Sequence, residues 1–276
     1  MIRLPNATTK LRRALRQREV EAVFKAIPDG FLGQILEIGS GDGAQSPMLA
    51  RRARAVVSTD LNDERLEREP HPKITYQVCD CEDLPFENRR FDLVYSSNVF
   101  EHLLHPAVAL AEIHRVLQDE GVFINIIPNK VWKLSHLALF YPNQALTAVE
   151  LMLSRRRRGV VGSHEGLGNN LTRERPSFTR RHIWPAVHGE NPNHLTEFVR
   201  MGASFWRKSF DKAGFHLAGR ISGLPFHTPY RFGYERPRRV LEALGLSSTN
   251  GYVLVKKGHG QEMSQLFTDQ SSASAS

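Results

Sequence analysis

Residues 37–43 (EIGSGDG) lie between an apolar run at 34–38 (QILEI), typical of a β-strand, and a helical pattern at 44–54. Glycines between a strand and a helix let the backbone turn sharply and leave bare main chain against which a ligand can lie. The start of the following helix presents unpaired N–H groups to the same ligand. The stretch therefore predicts a ligand-binding turn after the first strand of an α/β fold.

A carboxylate stands nineteen residues beyond Gly41, at the end of the second predicted strand. An acidic residue at the spacing of Asp60 commonly holds both hydroxyls of a ribose. Two charge-assisted hydrogen bonds of this kind contribute roughly 1.5–3 kcal/mol each. The turn and Asp60 together predict a ligand that contains a nucleoside. Read only as Gly-x-Gly-x-x-Ala ending at Ala44, the same letters fit a dinucleotide fingerprint or a purely structural turn.

Apolar strand-like runs alternate with helical patterns as far as residue 130. Near-continuous apolar strands are typical of a parallel sheet with helices on both faces, and right-handed crossovers make it doubly wound. Two later runs, 215–221 and 251–256, predict an antiparallel pair at a sheet edge. We expect an α/β fold with a seven-stranded, mostly parallel Rossmann-like sheet, an N-terminal helix and an inserted helical or loop lid. The other predicted elements are strands at 34–38, 55–59, 74–78, 91–96 and 121–127 and helices at 8–27, 44–54, 106–118 and 201–213.

The same patterns divide the chain into five parts. Residues 1–30 form an N-terminal helical segment, and residues 31–130 form the ligand-binding α/β core. Residues 131–200 form an insertion that serves as a lid for an acceptor or a surface, and residues 201–258 complete the sheet. Residues 259–276 are polar and low in complexity, so we expect a disordered tail.

The composition is that of an ordinary globular protein, with 41% hydrophobic and 24% charged residues among 276, which excludes collagenous and disordered chains. Only two cysteines occur, Cys79 and Cys81, so a disulfide scaffold is excluded and a reducing compartment is favoured. The net charge of +8 favours an anionic partner. The N-terminal residues show no secretory pattern and no apolar run is long enough to span a bilayer, so we expect a cytoplasmic protein.

Three further stretches follow the glycine turn in order: 78–86 (VCDCEDLPF), 91–103 (FDLVYSSNVFEHL) and 112–117 (EIHRVL). With that turn, they make the chain resemble the class I S-adenosylmethionine-dependent methyltransferases, in the small-molecule branch that includes ubiquinone-pathway enzymes. The resemblance covers about residues 33–130 and resumes loosely over 201–257. It implies S-adenosylmethionine as the cofactor and S-adenosylhomocysteine as the product.

The resemblance also implies cofactor-binding roles at the ends of the first four strands. The first motif wraps the methionine part of the cofactor and consists of Glu37, Gly39, Ser40, Gly41 and Gly43. Asp60 holds the ribose, and Leu61 lies beside the adenine. Asp80 and Cys81 contact the adenine edge, and Ser97 and Asn98, in the turn after the fourth strand, face the methionine part and the acceptor. The family usually has a smaller residue at the Cys81 position, and we interpret this cysteine as lining of the adenine pocket.

Transfer to a hydroxyl benefits from a general base, for which histidine is suited near neutral pH. His102, after the fourth strand, is one candidate, although packing of the following helix is an alternative role. The polar stretch 188–194 (HGENPNH) supplies His188, Glu190 and His194 as further candidates, with turn formation as the alternative. Metal binding by His188, His194 and Glu190 is an alternative, but methyl transfer to carbon, nitrogen or a single hydroxyl needs no metal, so we expect no metal site.

Residues 131–158 combine apolar side chains with a run of arginines at 155–158. This pattern suits peripheral contact with the inner membrane surface or with a lipid-linked acceptor. It equally suits a lid packed on the sheet with its cationic end in water, and the arginines could also pair with a phosphate on the acceptor.

The sequence thus favours in-line methyl transfer to a small-molecule, glycan or lipid-linked acceptor, at oxygen. An RNA or protein methyltransferase, which the positive charge would suit, and a non-catalytic cofactor-binding scaffold are the alternatives. Nucleic acid is disfavoured because residues 97–100 (SNVF) replace an Asn/Asp-Pro-Pro-Tyr/Phe motif and no appended RNA-binding module is visible. The ordered stretches disfavour a nicotinamide-dependent oxidoreductase. The oligomeric state is not predicted.

Overall fold

Seven strands form a single sheet in the part of the chain that the structure describes, in the order β3-β2-β1-β4-β5-β7-β6. That part of the computed structural model comprises residues 6–26, 33–62, 70–158, 185, 187–189, 191–228 and 235–259. β1 to β5 run parallel, and β7 is antiparallel to both β5 and β6. The predicted fold class is confirmed, including the antiparallel edge. The strands are β1 (Gln34–Ile38), β2 (Ala55–Asp60), β3 (Ile74–Val78), β4 (Phe91–Ser97), β5 (Leu117–Pro128), β6 (Phe215–Ile221) and β7 (Thr249–Lys256).

Helices cover both faces of this sheet, which explains why its central strands are apolar on both sides. On one face Val20, Val23 and Leu49 pack with Ile35 and Leu93, whereas the other face carries a second core cluster. That cluster joins Ile113 of α3 and Phe210 of α6 to the alternate strand positions, such as Leu36 and Val94. The helices are α1 (Asn6–Ala26), α2 (Ser46–Leu49), α3 (Pro106–Val116), α4 (Lys130–Arg158), α5 (His194–Arg200), α6 (Ala203–Lys212) and α7 (Glu235–Ala243), with a 3-10 turn at Phe100–His102.

The helix after the glycine turn is much shorter than the predicted 44–54. Lys73 donates from Nζ to the carbonyl oxygens of Ala50 and Ala53 at 3.3 and 3.0 Å, and the N–H of Arg54 donates to the Gly33 oxygen at 2.8 Å. These tertiary partners take backbone groups that a longer helix would use internally, so α2 ends at Leu49.

Two other boundaries also differ from prediction. The helix expected over 106–118 ends at Val116 because Leu117 already pairs with Phe91 in the sheet, which extends β5 to twelve residues. The helix expected over 201–213 begins only at Ala203, since extended backbone at Gly202 separates it from α5. The helix α7 was not predicted.

The insertion begins as one long helix, α4, which contains Pro142. Its first turns are buried at Trp132, Lys133 and Phe140, whereas several later apolar side chains are exposed. No helix in the described residues is both long enough and apolar enough to cross a bilayer. The rest of the predicted lid, 159–184, and the predicted tail from 260 onward lie outside the described residues, and the division of the chain into parts stays a prediction.

Candidate functional site

A cavity of about 510 Å³ opens at the carboxyl ends of β1, β2 and β4. It lies where the strand order reverses between β1 and β4, the usual ligand position in an open α/β sheet. Its volume is in the range of small-molecule sites. Of the residues predicted to bind the cofactor or to act on the acceptor, those in its wall are Gly39, Ser40, Gly41, Asp60, Leu61, Asp80, Cys81, Ser97, Asn98 and His102.

The glycine turn forms the floor of the cavity. Gly39 and Gly41 have φ angles of +70° and +60°, in the left-handed region that favours glycine. A Cβ on Gly39 would lie 2.2 Å from Cγ2 of Val99, whereas a Cβ on Gly41 would meet nothing within 4 Å. The N–H of Ser40 donates to the oxygen of Thr59 at 2.9 Å, which ties the turn to β2. Gly39 therefore permits close packing, and Gly41 leaves the backbone open to a ligand.

Asp60 fixes the glycine turn and keeps capacity for a ligand. Its Oδ2 accepts from the N–H of Gly41 at 2.8 Å, and its Oδ1 accepts from the N–H of Asn62 at 3.0 Å. Each carboxylate oxygen can accept more than one hydrogen bond, so both retain capacity for the two hydroxyls of a ribose.

Two residues of the first motif do not line the cavity, unlike the prediction. Glu37 is buried behind the turn, where its Oε2 accepts from Ser46 Oγ at 2.5 Å and Ser58 Oγ at 3.0 Å. Burial raises the pKa of Glu37 to about 7. The N–H of Gly43 donates to the Ser40 oxygen at 3.0 Å and closes the turn. Glu37 and Gly43 thus stabilise the turn through these hydrogen bonds and are not among the residues that line the cavity.

The part of the cavity that is predicted to hold the adenine has an apolar and an acidic component. Leu61 and Cys81 line it together with Asp80. Burial, followed by the nearby charges of Asp80 and Glu82, raises the pKa of the Cys81 thiol to about 12. The side chain is therefore an uncharged thiol at neutral pH, in agreement with a lining role rather than a reactive one.

The N-terminal helix supplies a cationic wall that the sequence analysis missed. Arg12, Arg13 and Arg16 of α1 line the cavity, and Arg12 also pairs with Asp42 of the glycine turn. Nη1 of Arg16 donates to Ser97 Oγ at 2.7 Å, and with the Asn98 amide oxygen turned toward the guanidinium it donates there at 2.6 Å. The only signal in the sequence was the basic run 11–16 (LRRALR) on an amphipathic helix.

A buried carboxylate attaches this helix to the end of β4. Glu19 accepts from Ser97 Oγ at 2.6 Å and from Gln45 Nε2 at 2.9 Å, and its Oε2 lies 3.2 Å from Nε2 of His227. Although burial opposes ionisation, Arg16 and His227 hold the pKa of Glu19 well below its usual range. The charged network keeps α1 against the cavity.

Two of the predicted acid–base residues meet at the β4 end. The centres of the His102 and His188 rings are 4.5 Å apart, and the centre of the His188 ring is 4.6 Å from that of Trp132 in α4. His102 lines the cavity. Burial lowers the pKa of His188 to about 4, so this imidazole is neutral near pH 7.

His194, another of the predicted acid–base residues, does not line the cavity. Nδ1 of His194 lies 2.8 Å from Nζ of Lys133, which in turn donates to Oε2 of Glu197 at 2.5 Å. This buried group joins α4 to α5. Glu190 lies outside the described residues.

Residues 36–125 match the family model described as a methyltransferase domain. Over these residues the core is therefore similar to methyltransferase domains. A probable S-adenosylmethionine-dependent methyltransferase of Mycolicibacterium smegmatis is 29% identical over 117 residues, 41% of this chain and 46% of that protein. The ubiquinone/menaquinone biosynthesis C-methyltransferase UbiE of Paraburkholderia phymatum is 32% identical over 108 residues, 36% of this chain and 44% of that protein. The matched segments thus span less than half of either relative.

The fold of the methyltransferase domain also agrees with solved structures. The crystal structure of an S-adenosylmethionine-dependent methyltransferase from Mesorhizobium loti aligns with a TM-score of 0.52 and 16% identity, covering 86% of this chain and 97% of that one. These comparisons confirm the resemblance and S-adenosylmethionine as the cofactor of the domain. The cavity fits it through the bare glycine turn and the remaining acceptor capacity of Asp60. The roles of individual residues stay predictions.

Proposed function

We propose that this protein transfers the methyl group of S-adenosylmethionine to an oxygen atom of a small-molecule, glycan or lipid-linked acceptor. The observation that carries the proposal is the cavity itself, which has the glycine turn and Asp60 on one side and His102 on the other. The first group suits an adenosine, and the histidine supports the proposal because it offers a base in the same cavity.

The reaction requires the protein to align the reacting atoms more than to activate them. The sulfonium of the cofactor already activates its methyl group. Correct placement of the acceptor oxygen, the methyl carbon and the sulfur can supply roughly 7–11 kcal/mol of the barrier. The oxygen lone pair forms the new O–C bond, the C–S electron pair returns to sulfur, and the hydroxyl proton passes to a base. His102 is the base in this scheme because its side chain lines the cavity and is half exposed.

The charge of the cavity wall supports an anionic acceptor. Arg12, Arg13 and Arg16 place cationic side chains in the cavity wall, with Arg12 beside Asp42 of the glycine turn and Arg16 beside Ser97 at the end of β4. Arginine forms strong hydrogen bonds to carboxylates and phosphates. These side chains would therefore favour an acceptor that carries such a group near its methylated oxygen.

Exposed apolar side chains along α4 support contact with a lipid surface or a lipid-linked acceptor. Leu134, Tyr141, Val149 and Met152 leave about half or more of their surface exposed. Four exposed apolar side chains on a helix that ends in arginines are typical of segments that lie at a membrane interface. Residues 131–158 would then bring the cavity to the inner membrane surface.

Calorimetry with purified protein tests the cofactor half of the proposal. We expect binding of S-adenosylhomocysteine to the wild type and at least tenfold weaker binding to Asp60→Ala. An Asp211→Ala variant is the matched control, because Asp211 is an exposed carboxylate paired with Lys257 and does not line the cavity. Absence of binding to the wild type, or equal binding to both aspartate variants, would contradict the proposal.

The acceptor is identified by incubating the protein and methyl-labelled cofactor with cell extract and analysing the labelled product by mass spectrometry. Label in a small molecule, glycan or lipid supports the proposal. Label confined to RNA or protein would replace it with the corresponding alternative. Cofactor binding without any S-adenosylhomocysteine production would indicate a non-catalytic scaffold.

A further inference from the structure

Three side chains beside the cavity form a group with the composition of a metal site. Glu101, His102 and His188 each offer one ligand atom, and these atoms all lie within 4.8 Å of one another. Two imidazoles and one carboxylate suit Zn²⁺ and other divalent transition ions. Bonds of about 2.0–2.1 Å to zinc place tetrahedral ligand atoms about 3.3 Å apart. Closing on an ion thus requires side-chain movements of roughly 1 Å.

The carboxylate of Glu101 is an independent sign that something binds here. Its side chain is 95% buried, and neither oxygen accepts a hydrogen bond from any group that the structure describes. Nε2 of His102 is 3.9 Å from Oε1, which is beyond hydrogen-bond distance. An unpaired buried carboxylate is costly, and a cation between it and the imidazoles would remove that cost.

The backbone at Gly189 lets two segments of the chain approach each other closely beside this group. Gly189 has a φ angle of +66°, and a Cβ at this position would lie 2.0 Å from the carbonyl oxygen of Glu101. Only glycine therefore lets the segment with His188 press against the 3-10 turn. The N–H of His188 donates to Oε2 of Glu197 at 3.2 Å, and its ring packs on Trp132. These contacts hold His188 in place without using its imidazole nitrogens.

We propose that Glu101, His102 and His188 bind one divalent transition-metal ion, Zn²⁺ in the first instance. Three protein ligands leave a coordination position open, and His102 lies in the cavity wall. Resting on the proposed function, we further infer that this position takes the acceptor oxygen, whose pKa a bound cation would lower. His102 then acts as a metal ligand instead of the general base, and the hydroxyl proton is released to water when the acceptor oxygen binds the ion. This proposal replaces the expectation of no metal site.

Metal titration of the full chain tests the proposal. Protein stripped with a chelator and dialysed is titrated with ZnCl₂ in a calorimeter, and with CoCl₂ followed by visible absorption. We expect one ion per chain, bound at least tenfold more weakly by Glu101→Gln, His102→Asn and His188→Asn. The matched control is His105→Asn, because His105 also lies near a carboxylate, with Nδ1 3.2 Å from Oε2 of Glu82, but lies outside the group.

Folding and cofactor binding are measured on the same samples. A thermal unfolding midpoint shows that each variant is folded. A titration with S-adenosylhomocysteine shows that its cofactor site is intact. His102→Asn alters a half-exposed side chain and should fold. Its zinc affinity therefore tests the metal site even if a variant of a buried ligand does not fold. Cofactor binding without zinc uptake would overturn the metal site alone. Zinc uptake that is equal in the wild type and the ligand variants would also overturn it, whereas zinc uptake without methyl transfer would leave it standing.

Discussion

The two ends of the cavity are built in different ways. At the cofactor end, backbone groups and one carboxylate from adjacent strands form the surface, and Asp60 is bonded directly to Gly41. At the proposed acceptor end, His102 and His188 come from a 3-10 turn and a segment before α5, and α4 supplies the ring of Trp132. The first end depends on local turns, whereas the second depends on the packing of separate elements. Changes at one end should therefore leave the other largely intact.

The largest expected effect is on the packing of the acceptor end. Lys133→Met removes the cation from a pair whose side chains are at most 1% exposed and leaves the Glu197 carboxylate buried without it. Loss of one partner of such a pair costs about 3–5 kcal/mol of unfolding free energy. Urea unfolding measures the loss, and calorimetry should show unchanged affinity for S-adenosylhomocysteine in the folded variant. The double variant Lys133→Met/Glu197→Gln should recover part of the stability; no recovery would show that the pair is not the cause.

Gly39→Ala tests the point at which the two ends touch. The added Cβ would overlap the side chain of Val99, which lies two residues after the end of β4. The φ angle of +70° adds backbone strain. We expect a loss of about 2–3 kcal/mol in unfolding free energy together with weaker cofactor binding. Gly41→Ala is the control, since it adds strain without a clash and should cost about 1 kcal/mol. Equal losses in urea unfolding would argue against the role assigned to close packing at Gly39.

Asp60→Asn confines the change to the cofactor end. The amide keeps the shape but loses the charge that strengthens hydrogen bonds to ribose hydroxyls and to Gly41. We expect about 10- to 100-fold weaker S-adenosylhomocysteine binding, equivalent to 1.4–2.8 kcal/mol. Zinc affinity measured on the same sample should stay at the wild-type value. A parallel loss of zinc affinity would mean that the two ends are coupled.

A final expected effect concerns the pH dependence of stability at the cofactor end. Because burial raises the pKa of Glu37 from 4.5 to about 7, its contribution to stability is full below pH 4.5 and is lost as the pH rises through about 7. Glu37→Gln removes this titration, so its unfolding free energy should fall less between pH 5 and pH 8 than that of the wild type. Urea unfolding at several pH values provides the comparison. Parallel curves for the two proteins would show that Glu37 does not titrate in this range.

Local sequence patterns predicted most of the sheet. The runs that became β1, β2, β3 and β4 were placed within a residue of their observed ends, because a strand covered on both faces is apolar nearly throughout. The ends of α2 and α3 were wrong, because Lys73 and the pairing of Leu117 with Phe91 decide where those helices stop. No sequence pattern next to either helix indicates these contacts.

The candidate site divides in the same manner. Gly39, Gly41 and Asp60 could be recognised because a sharp turn and a carboxylate at fixed spacing are local requirements of the ligand. Arg16 could not, since it reaches Ser97 across 81 residues of sequence. His194 resembled His188 in its polar neighbourhood, and only packing against Lys133 separates their positions.

The sequence by itself determined the order of the seven strands along the chain, the left-handed glycine turn and the carboxylate that accompanies it, because each depends on periodicity or on backbone freedom over a few residues. The tertiary structure alone decided that α1 covers the cavity, that Glu37 stands behind the turn, and that His188 meets Glu101 and His102. Those arrangements join residues distant along the chain, and they arise from burial and close packing that no short stretch of sequence contains.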